Sequence, residues 1–244
     1  MSSRWVYNSS HRKRPHFHPV ATPSGAVLTR DAPDDHPWHH GLWFTIKYVN
    51  EENFWEEQPP YGVLRHVDET TIHWIRPDRE TVVIVEDIRI DETSLADDAY
   101  ALDINIVLTP QADVVLDRTP FTTWGGYGGL ALRGRPDWTD TRLLLADGTT
   151  HDRVLGVPSE WCDLSGSVDG GEGGMLIIPD SVTPWYGSTR AATYGDEGWS
   201  NFLNAAFLWD GPEEVAAGTP RAFGFRVVVH DGVWSRERCA SYAG

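Results

Sequence analysis

Five of the ten histidines lie in two short segments near the N-terminus, and these are the side chains best suited to chemistry. Two are in RPHFHP, residues 14–19, and three are in DDHPWHH, residues 34–40. Imidazole changes its charge closer to neutral pH than any other ordinary side chain, and it is also the commonest protein ligand for metals. The two segments are therefore predicted to form the functional site.

We interpret His18, His36 and His39 as candidate catalytic residues and His40 as a candidate substrate-binding residue. Asp35 is a second candidate for substrate binding, and a carboxylate beside an imidazole also fixes its tautomer and raises its basicity. If a divalent metal is bound, His18, His36 and His39 are its predicted ligands. The H-x-x-H-H spacing in a loop is much less specific than HExxH on a helix. The alternative is that some of these histidines only satisfy backbone groups.

Two carboxyl groups are candidate partners of a catalytic histidine. Glu56 follows the aromatic pair that ends at Trp55, and Asp163 follows Trp161 in SEWCDLSG. Paired proton-transfer groups, often carboxyls, are the recurring device of sugar chemistry. The alternatives are a solvated strand edge for Glu56 and ordinary loop anchoring for Asp163.

Aromatic side chains near these acids are candidates for substrate binding. We assign this role to Trp55, Trp161, Trp124 and Tyr127, and to the charged Arg190. The loop TTWGGYGG around Trp124 lacks the lysine and the strand-turn-helix context of a phosphate-binding loop. Its glycines are equally consistent with bulges that curve a sheet.

The composition limits the partners and the location that we expect for this protein. The formal net charge of −16 over 244 residues argues against nucleic acid and anionic membranes as partners, because both require clustered Lys and Arg. The N-terminus has no apolar signal segment, and no run approaches the ~18 apolar residues that span a bilayer. We expect a soluble, cytoplasmic protein. Two cysteines, Cys162 and Cys239, are no disulfide framework, and the sequence leaves open whether they pair.

Short alternating strands dominate the hydrophobic pattern. Leu102, Ile104, Ile106 and Leu108 share one face of a strand, which is typical of a half-buried antiparallel sheet. We find no convincing amphipathic helix, no repeat and no linker. The prediction is one all-β domain over residues 1–244, with the glycine-rich segments near residues 119–134 and 159–174 and the segment 183–202 as loops.

Several of these segments together resemble a known bacterial family. RPHFHPVATPSG, then DHPWHHGLWF and VNEENFW, and later TTWGGYGGLALR and WCDLSGSVDG, are similar to the family labelled methane oxygenase PmoA. The resemblance runs from about Tyr7 to Val229. It implies a soluble, large antiparallel β-sandwich with few or no helices, similar to the galactose mutarotase-like supersandwich. In that architecture a histidine and a glutamate transfer protons on a sugar.

The family pattern also implies which positions matter in this chain. It falls on His18, Asp35, His36, His39, Trp55, Gly126, Gly128, Trp161 and Asp163. His40 and Trp124 stand where relatives often carry other residues, so substrate identity stays open. Methane oxidation is not expected, because a membrane copper complex requires transmembrane helices. The genes of relatives are often found beside those for sugar oxidoreductases and transporters, which implies carbohydrate catabolism.

The leading hypothesis is a carbohydrate-processing enzyme, namely a lyase or hydrolase acting on a keto-sugar glycoside, or an epimerase. Proton transfer at a sugar carbon would use a histidine with Glu56 or Asp163. The first alternative is a non-catalytic carbohydrate-binding or sensing protein, and the second is a metal-dependent oxygenase. The expected partner is a small-molecule carbohydrate, with a homodimer formed through an exposed sheet face as a further option. No cofactor is expected, and a divalent metal is the alternative.

Overall fold

The computed structural model describes residues 3–119, 126–189 and 201–243, and almost all of the regular secondary structure in this part of the chain is β-strand. The elements in chain order are β1 (Trp5–Tyr7), β2 (Phe17–Val20), β3 (Leu42–Ile46), β4 (Tyr48–Val49), β5 (Glu52–Asn53), β6 (Val63–His66), β7 (Thr71–Ile75), β8 (Val82–Ala96), β9 (Ala99–Pro110), β10 (Val114–Asp117), β11 (Gly128–Arg133), β12 (Thr139–Leu145), β13 (Thr150–His151), β14 (Arg153–Ser159), β15 (Cys162–Val168), β16 (Gly171–Pro179), β17 (Thr183–Ser188), β18 (Phe202–Ala205), β19 (Glu213–Val215), β20 (Arg221–Asp231) and α1 (Arg236–Ala240).

Two large sheets and one small sheet contain all of these strands. The first large sheet has seven strands in the order β1-β2-β3-β11-β18-β17-β14, and the second has nine in the order β13-β12-β15-β16-β20-β9-β8-β7-β6. The small sheet has the order β19-β10-β4-β5. Every pairing between these strands is antiparallel. The predicted large antiparallel β-sandwich with few helices is confirmed.

The core lies between the two large sheets. Strand β9 places the side chains of its predicted apolar face there, from Leu102 to Leu108, and β3 adds Leu42, Phe44 and Ile46 from the opposite sheet. Each fully buried aliphatic or aromatic side chain of this kind stabilises the fold by about 1.5–3 kcal/mol. The alternation that was visible in the sequence thus determines which face of β9 is buried.

Each large sheet also carries buried side chains on its outer face. On the seven-stranded sheet these include Trp43 and Phe202. On the nine-stranded sheet they include Trp161, which α1 and the preceding Trp234 help to cover. The side chain of Ser235 caps α1 by accepting a hydrogen bond from the backbone N–H of Arg238.

Three strands formed where the sequence predicted loops. These are β11, β15 and β17, and each contains glycines or small polar residues instead of alternating apolar ones. A Cβ added at Gly166 in β15 would lie 2.5 Å from the carbonyl oxygen of Thr139, so neighbouring backbones approach too closely for a side chain. Glycine here reflects close strand packing rather than a loop.

None of the helical segments in the described ranges has the length and apolar character needed to cross a bilayer.

Candidate functional site

The segment from Asp31 to His40 folds back on itself and distributes its histidines between two places. Asp31 and His40 form an antiparallel bridge, and the backbone N–H of Ala32 donates to the carbonyl of His39 at 2.8 Å. Successive side chains of extended backbone point to opposite sides. His39 therefore packs on the outer face of the seven-stranded sheet, whereas His40 contacts other histidines.

The outer face of the seven-stranded sheet carries a layer of aromatic rings, which we call the aromatic face. Its buried members are Trp43, Trp55, Ala131, Tyr186, Phe202 and Ala206, and half-buried Trp38, Tyr127 and Trp209 pack against them. Tyr127 stacks on Trp55 with ring centroids 5.0 Å apart, and Trp209 stacks on Tyr186 at 5.9 Å. The rings that reach solvent are thus held in fixed orientations by a buried layer.

A hydrogen-bonded group of three side chains lies at the aromatic face. His36 Nδ1 is 2.9 Å from Asp35 Oδ2, and Arg133 Nη2 donates to the same oxygen at 2.7 Å. A carboxylate only accepts, so Nδ1 of His36 carries the proton in this contact. Partial burial alone would raise the pKa of Asp35, but the hydrogen bonds from His36 and Arg133 and the positive charge of Arg133 outweigh it and lower this pKa. Asp35 is therefore an ionised group that orients His36.

His39 has a different environment from His36, although the two rings stack with centroids 4.7 Å apart. Its ring is buried, stacks on Phe202 at 5.2 Å and accepts a hydrogen bond from Arg133 Nη1 at 3.3 Å. Burial, reinforced by the charge of Arg133, holds the pKa of His39 well below its usual value. His39 is thus a neutral imidazole that supports its neighbours and is poorly placed to exchange protons with a substrate.

Glu56 is bound from two directions close to Tyr127. Lys47 Nζ donates to Glu56 Oε2, and the Asn53 side chain bonds both the backbone N–H and the carbonyl of Glu56. Burial lowers the pKa of Lys47, and the Glu56 carboxylate offsets part of this effect. The negative charge of Glu56 also contributes to raising the pKa of Tyr127, after burial and Tyr186. Glu56 and Lys47 therefore form an ion pair near the aromatic face.

A second group of side chains, which we call the histidine cluster, consists of His11, His16, Asp31, His40 and Glu57. The three imidazole rings contact one another, with centroids 4.7–4.9 Å apart. His40 Nδ1 is 2.7 Å from Asp31 Oδ1, and His40 Nε2 is 2.9 Å from Glu57 Oε1. His40 thus connects two carboxylates through its two ring nitrogens.

The N-terminal segment surrounds the histidine cluster with further partners. The carbonyl of Arg14 lies 3.0 Å from His11 Nδ1 and 3.2 Å from His16 Nδ1, and Lys13 Nζ donates to Glu57 Oε2 at 2.6 Å. Burial, together with the charge of the nearby histidine, lowers the pKa of His16 to about 4. Burial would raise the pKa of Glu57, but hydrogen bonds and nearby cations outweigh it and lower this pKa to about 2.

Most of the predicted site residues that the structure describes meet at one place. Those at the aromatic face or beside it are Asp35, His36, His39, Trp55, Glu56 and Tyr127. His40 belongs to the histidine cluster instead. Its position next to His39 in the sequence puts it on the opposite side of the same extended segment.

The predicted metal ligands His18, His36 and His39 do not form one group. His18 Nδ1 bonds the hydroxyl of Thr29 at 2.9 Å, whereas His36 and His39 stack on each other at the aromatic face. In the described part of the chain, two groups could hold a metal, and they are His11–His40–Glu57 and His16–Asp31–His40. Metal-ligating geometry is thus found in the histidine cluster, on the other side of the segment from His36 and His39.

Asp163 and Trp161 lie elsewhere, which corrects the prediction that they share a site with the histidines. Asp163 Oδ1 accepts from His230 Nε2 at 2.9 Å, its Oδ2 accepts from Ser165 at 2.7 Å, and the Asp163 and His230 side chains are fully enclosed. Trp161 packs with Trp234 under the C-terminal segment. Both residues point to the outer face of the nine-stranded sheet, so neither contacts a ligand at the aromatic face.

Two predicted substrate-binding residues, Trp124 and Arg190, lie outside the described residues. The sequence did not indicate Arg133 at the aromatic face. It also did not indicate Asp31 and Glu57 in the histidine cluster. Arg133 is 98 residues from its partner Asp35, and no local pattern connects them. His16 had a signal, because it lies two residues before His18 and alternation in an extended segment places both side chains on the same side.

The fold and the aromatic face together define an all-β sandwich protein with a histidine-carboxylate group on one sheet. A model of a family of unknown function, DUF6807, matches residues 2–244, and the chain belongs to this family. Nothing in that match supports the methane-oxygenase label. A search of curated proteins found no match.

The chain is also similar to one solved structure, the X-ray structure of a galactose mutarotase related enzyme from Lactobacillus acidophilus. The TM-score is 0.45 at 8% sequence identity, and the alignment covers 95% of this chain and 99% of that chain. Such low identity transfers no activity to this protein.

Proposed function

We propose that the protein is a carbohydrate-processing enzyme whose substrate binds at the aromatic face and whose general base is His36. The observation that carries this proposal is the Asp35–His36 pair, tied to Arg133 and placed beside half-buried Trp38. The His36 and Trp38 rings meet edge to face with centroids 5.3 Å apart. A proton-transfer group therefore borders a flat apolar surface.

The surroundings suit a sugar ring. A sugar presents apolar C–H faces and hydroxyl groups at its edge, and small-molecule sites are commonly aromatic walls with a few well-placed polar groups. At the aromatic face, Trp38, Tyr127 and Trp209 supply rings, while Asp35 and His36 supply hydrogen-bonding groups. The net charge of −16 is compatible with an uncharged substrate.

In the proposed reaction, His36 Nε2 takes a proton from a sugar carbon. Asp35 holds the proton of Nδ1 and stabilises the imidazolium that forms. Arg133 keeps Asp35 ionised and in place. The Lys47–Glu56 pair is the proposed second proton-transfer group, which returns a proton to the ring or leaving oxygen. For a lyase on a keto-sugar glycoside, this proton goes to the leaving oxygen as the carbon–oxygen bond breaks and a carbon–carbon double bond forms. A hydrolase then adds water across that double bond, whereas an epimerase returns a proton to the opposite face of the same carbon.

The test is a panel of aldoses, keto-sugars and their glycosides, measured for both binding and turnover. Removing a general base typically costs about 10²–10⁴-fold in rate, so His36→Gln is expected to lose turnover by that factor while sugar affinity changes little. His73→Gln, on strand β7 of the other sheet, is the matched control and keeps the wild-type rate. Sugar affinity with no turnover of any compound would instead support a non-catalytic carbohydrate-binding protein.

A further inference from the structure

Three neighbouring segments bring His16, Asp31 and His40 together. The bridge between Asp31 and His40 places their side chains side by side, with His40 Nδ1 2.7 Å from Asp31 Oδ1. Gly41 then packs directly against the carbonyl of Phe17, and this contact draws the strand after His16 next to His40. The His16 and His40 rings stack with centroids 4.8 Å apart.

We propose that His16 Nε2, Asp31 Oδ1 and His40 Nδ1 bind one divalent transition-metal ion of the Zn²⁺ or Fe²⁺ class. The Asp31 oxygen lies 3.6 Å from His16 Nε2, and all three ligand atoms lie within 4.8 Å of one another. Metal–ligand bonds of about 2.0–2.2 Å fit between atoms at such separations after small side-chain adjustments. This site lies on the other side of the segment from His36 and does not depend on the function proposed for the aromatic face.

The partners of the second ring nitrogens support this assignment. Metal-binding histidines usually donate their other N–H to a carbonyl or carboxylate, which directs the free lone pair at the ion. His16 has the Arg14 carbonyl 3.2 Å from Nδ1, and His40 has Glu57 2.9 Å from Nε2. Glu57 is itself held by Lys13 at 2.6 Å. Both imidazoles are therefore oriented with the metal-facing nitrogen toward Asp31.

The alternative group, His11–His40–Glu57, is less suitable. Glu57 already binds the ammonium of Lys13, and the buried guanidinium of Arg14 acts on the same carboxylate. An ion bound by Glu57 would face both positive charges at short range. Asp31, in contrast, has a side chain that is 33% exposed, so an ion bound to it keeps positions open to water.

The ligand types narrow the choice of ion. Imidazole suits zinc, iron, copper and nickel, whereas sites for magnesium and calcium are built from oxygen ligands. Two histidines and one carboxylate with open positions are typical of non-haem Fe²⁺ and of zinc sites that keep a water ligand. We therefore expect Zn²⁺ and Fe²⁺ to bind, and Mg²⁺ not to bind.

The full chain is first treated with a chelator and is then titrated with Zn²⁺, Co²⁺, anaerobic Fe²⁺ and Mg²⁺. Calorimetry measures the binding of each ion, and visible absorption gives a second measurement for Co²⁺. One ion per chain is expected for the first three. His16→Gln and Asp31→Asn should abolish saturable binding. Glu57→Gln, which removes only the partner of His40, should weaken binding by about 10–100-fold. His151→Gln, a variant of an unrelated surface histidine, and His36→Gln should bind as the wild type does.

Several results would overturn the proposal. These are the absence of stoichiometric binding by the wild type, unchanged binding in Asp31→Asn, or loss of binding in His11→Gln while Asp31→Asn still binds. If circular dichroism shows that His16→Gln does not fold, Asp31→Asn decides alone, because its side chain lies partly at the surface. The His36→Gln variant distinguishes failure of the metal site from failure of the function proposed for the aromatic face, since it tests turnover without changing any proposed metal ligand.

Discussion

His36 and His39 are stacked imidazoles with opposite properties, and burial explains the difference. His39 is enclosed among Phe202, Trp43 and the charged Arg133, which hold its pKa well below the usual value. A ring of this kind cannot collect a proton near neutral pH. His36 is half-buried and bonded to an ionised carboxylate, so of the two rings it is the one placed to meet a substrate.

Asp35 acts through His36 and is therefore a positioning residue. Asp35→Asn is expected to lower kcat by about 10²-fold with little change in KM, because an amide can hold the imidazole in the wrong tautomer. The ¹⁵N shifts of the His36 ring report the tautomer directly. Ring shifts and a kcat identical to those of the wild type would contradict this role.

Among the connecting elements, the junction before β3 has a demanding geometry. Gly41 has φ of +64°, and a Cβ added there would lie 2.3 Å from the carbonyl oxygen of Phe17. Both the left-handed backbone and this close approach favour glycine over other residues. Because His40 precedes Gly41 and His16 precedes Phe17, the contact also fixes the spacing of the histidine cluster.

Gly41→Ala should therefore destabilise the fold by more than the cost of placing alanine in a left-handed backbone conformation. Gly25 is the matched control, because its φ is +100° and no atom lies within 4 Å of an added Cβ. Gly25→Ala is expected to cost roughly 1–2 kcal/mol. Gly41→Ala should cost more, as judged by the urea midpoint of unfolding. Equal losses for the two variants would show that the contact with Phe17 is easily relieved.

The sequence predicted elements well where one face of a strand is buried and the other is solvated. Strand β9 is the example, because its alternation marks the core face. The alternation pattern did not predict β15, because Ser and Gly replace apolar residues there and both faces of the strand are covered. Because β15 was not predicted as a strand, the sequence also did not show where the Asp163 side chain points. It lies on the same side as Trp161, under the C-terminal segment.

For the candidate site, the sequence indicated a segment but not the partners of its side chains. Residues 34–40 do carry His36 and the orienting Asp35. Arg133, by contrast, reaches Asp35 only because β11 pairs with β3. Residue spacing also could not show that His39 and His40 point to different sites, since that depends on the bridge between Asp31 and His40.

At the scale of the whole molecule, a carboxyl group lies inside the sandwich. Glu86 is buried between the sheets and lines a cavity of about 10 Å³, together with Tyr7 and apolar side chains. Its Oε2 accepts a hydrogen bond from Trp74 Nε1 at 2.6 Å. Burial, only partly opposed by this bond, raises the pKa of Glu86 from 4.5 to about 7.

The contribution of Glu86 to stability should therefore fall as pH rises from about 4.5 to 7, because the unfolded chain releases the Glu86 proton before the folded protein does. Glu86→Gln removes this pH-dependent contribution and keeps an oxygen that can accept the hydrogen bond from Trp74. Relative to the wild type, the variant should gain roughly 3 kcal/mol between pH 4.5 and pH 8, measured by urea unfolding. Asp91→Asn, exposed on the same strand, is the control. A pH-independent difference between Glu86→Gln and the wild type would contradict a neutral Glu86.

If His36 moves a proton at a sugar carbon, that carbon exchanges its hydrogen with solvent. Keto-sugars and aldoses are incubated with the protein in D₂O, and ¹H NMR follows the loss of each ring C–H signal. We expect deuterium incorporation at one carbon of at least one sugar, slowed by about 10²–10⁴-fold in His36→Gln. Exchange that proceeds at the wild-type rate in His36→Gln, or no exchange in any sugar, would show that His36 is not the general base.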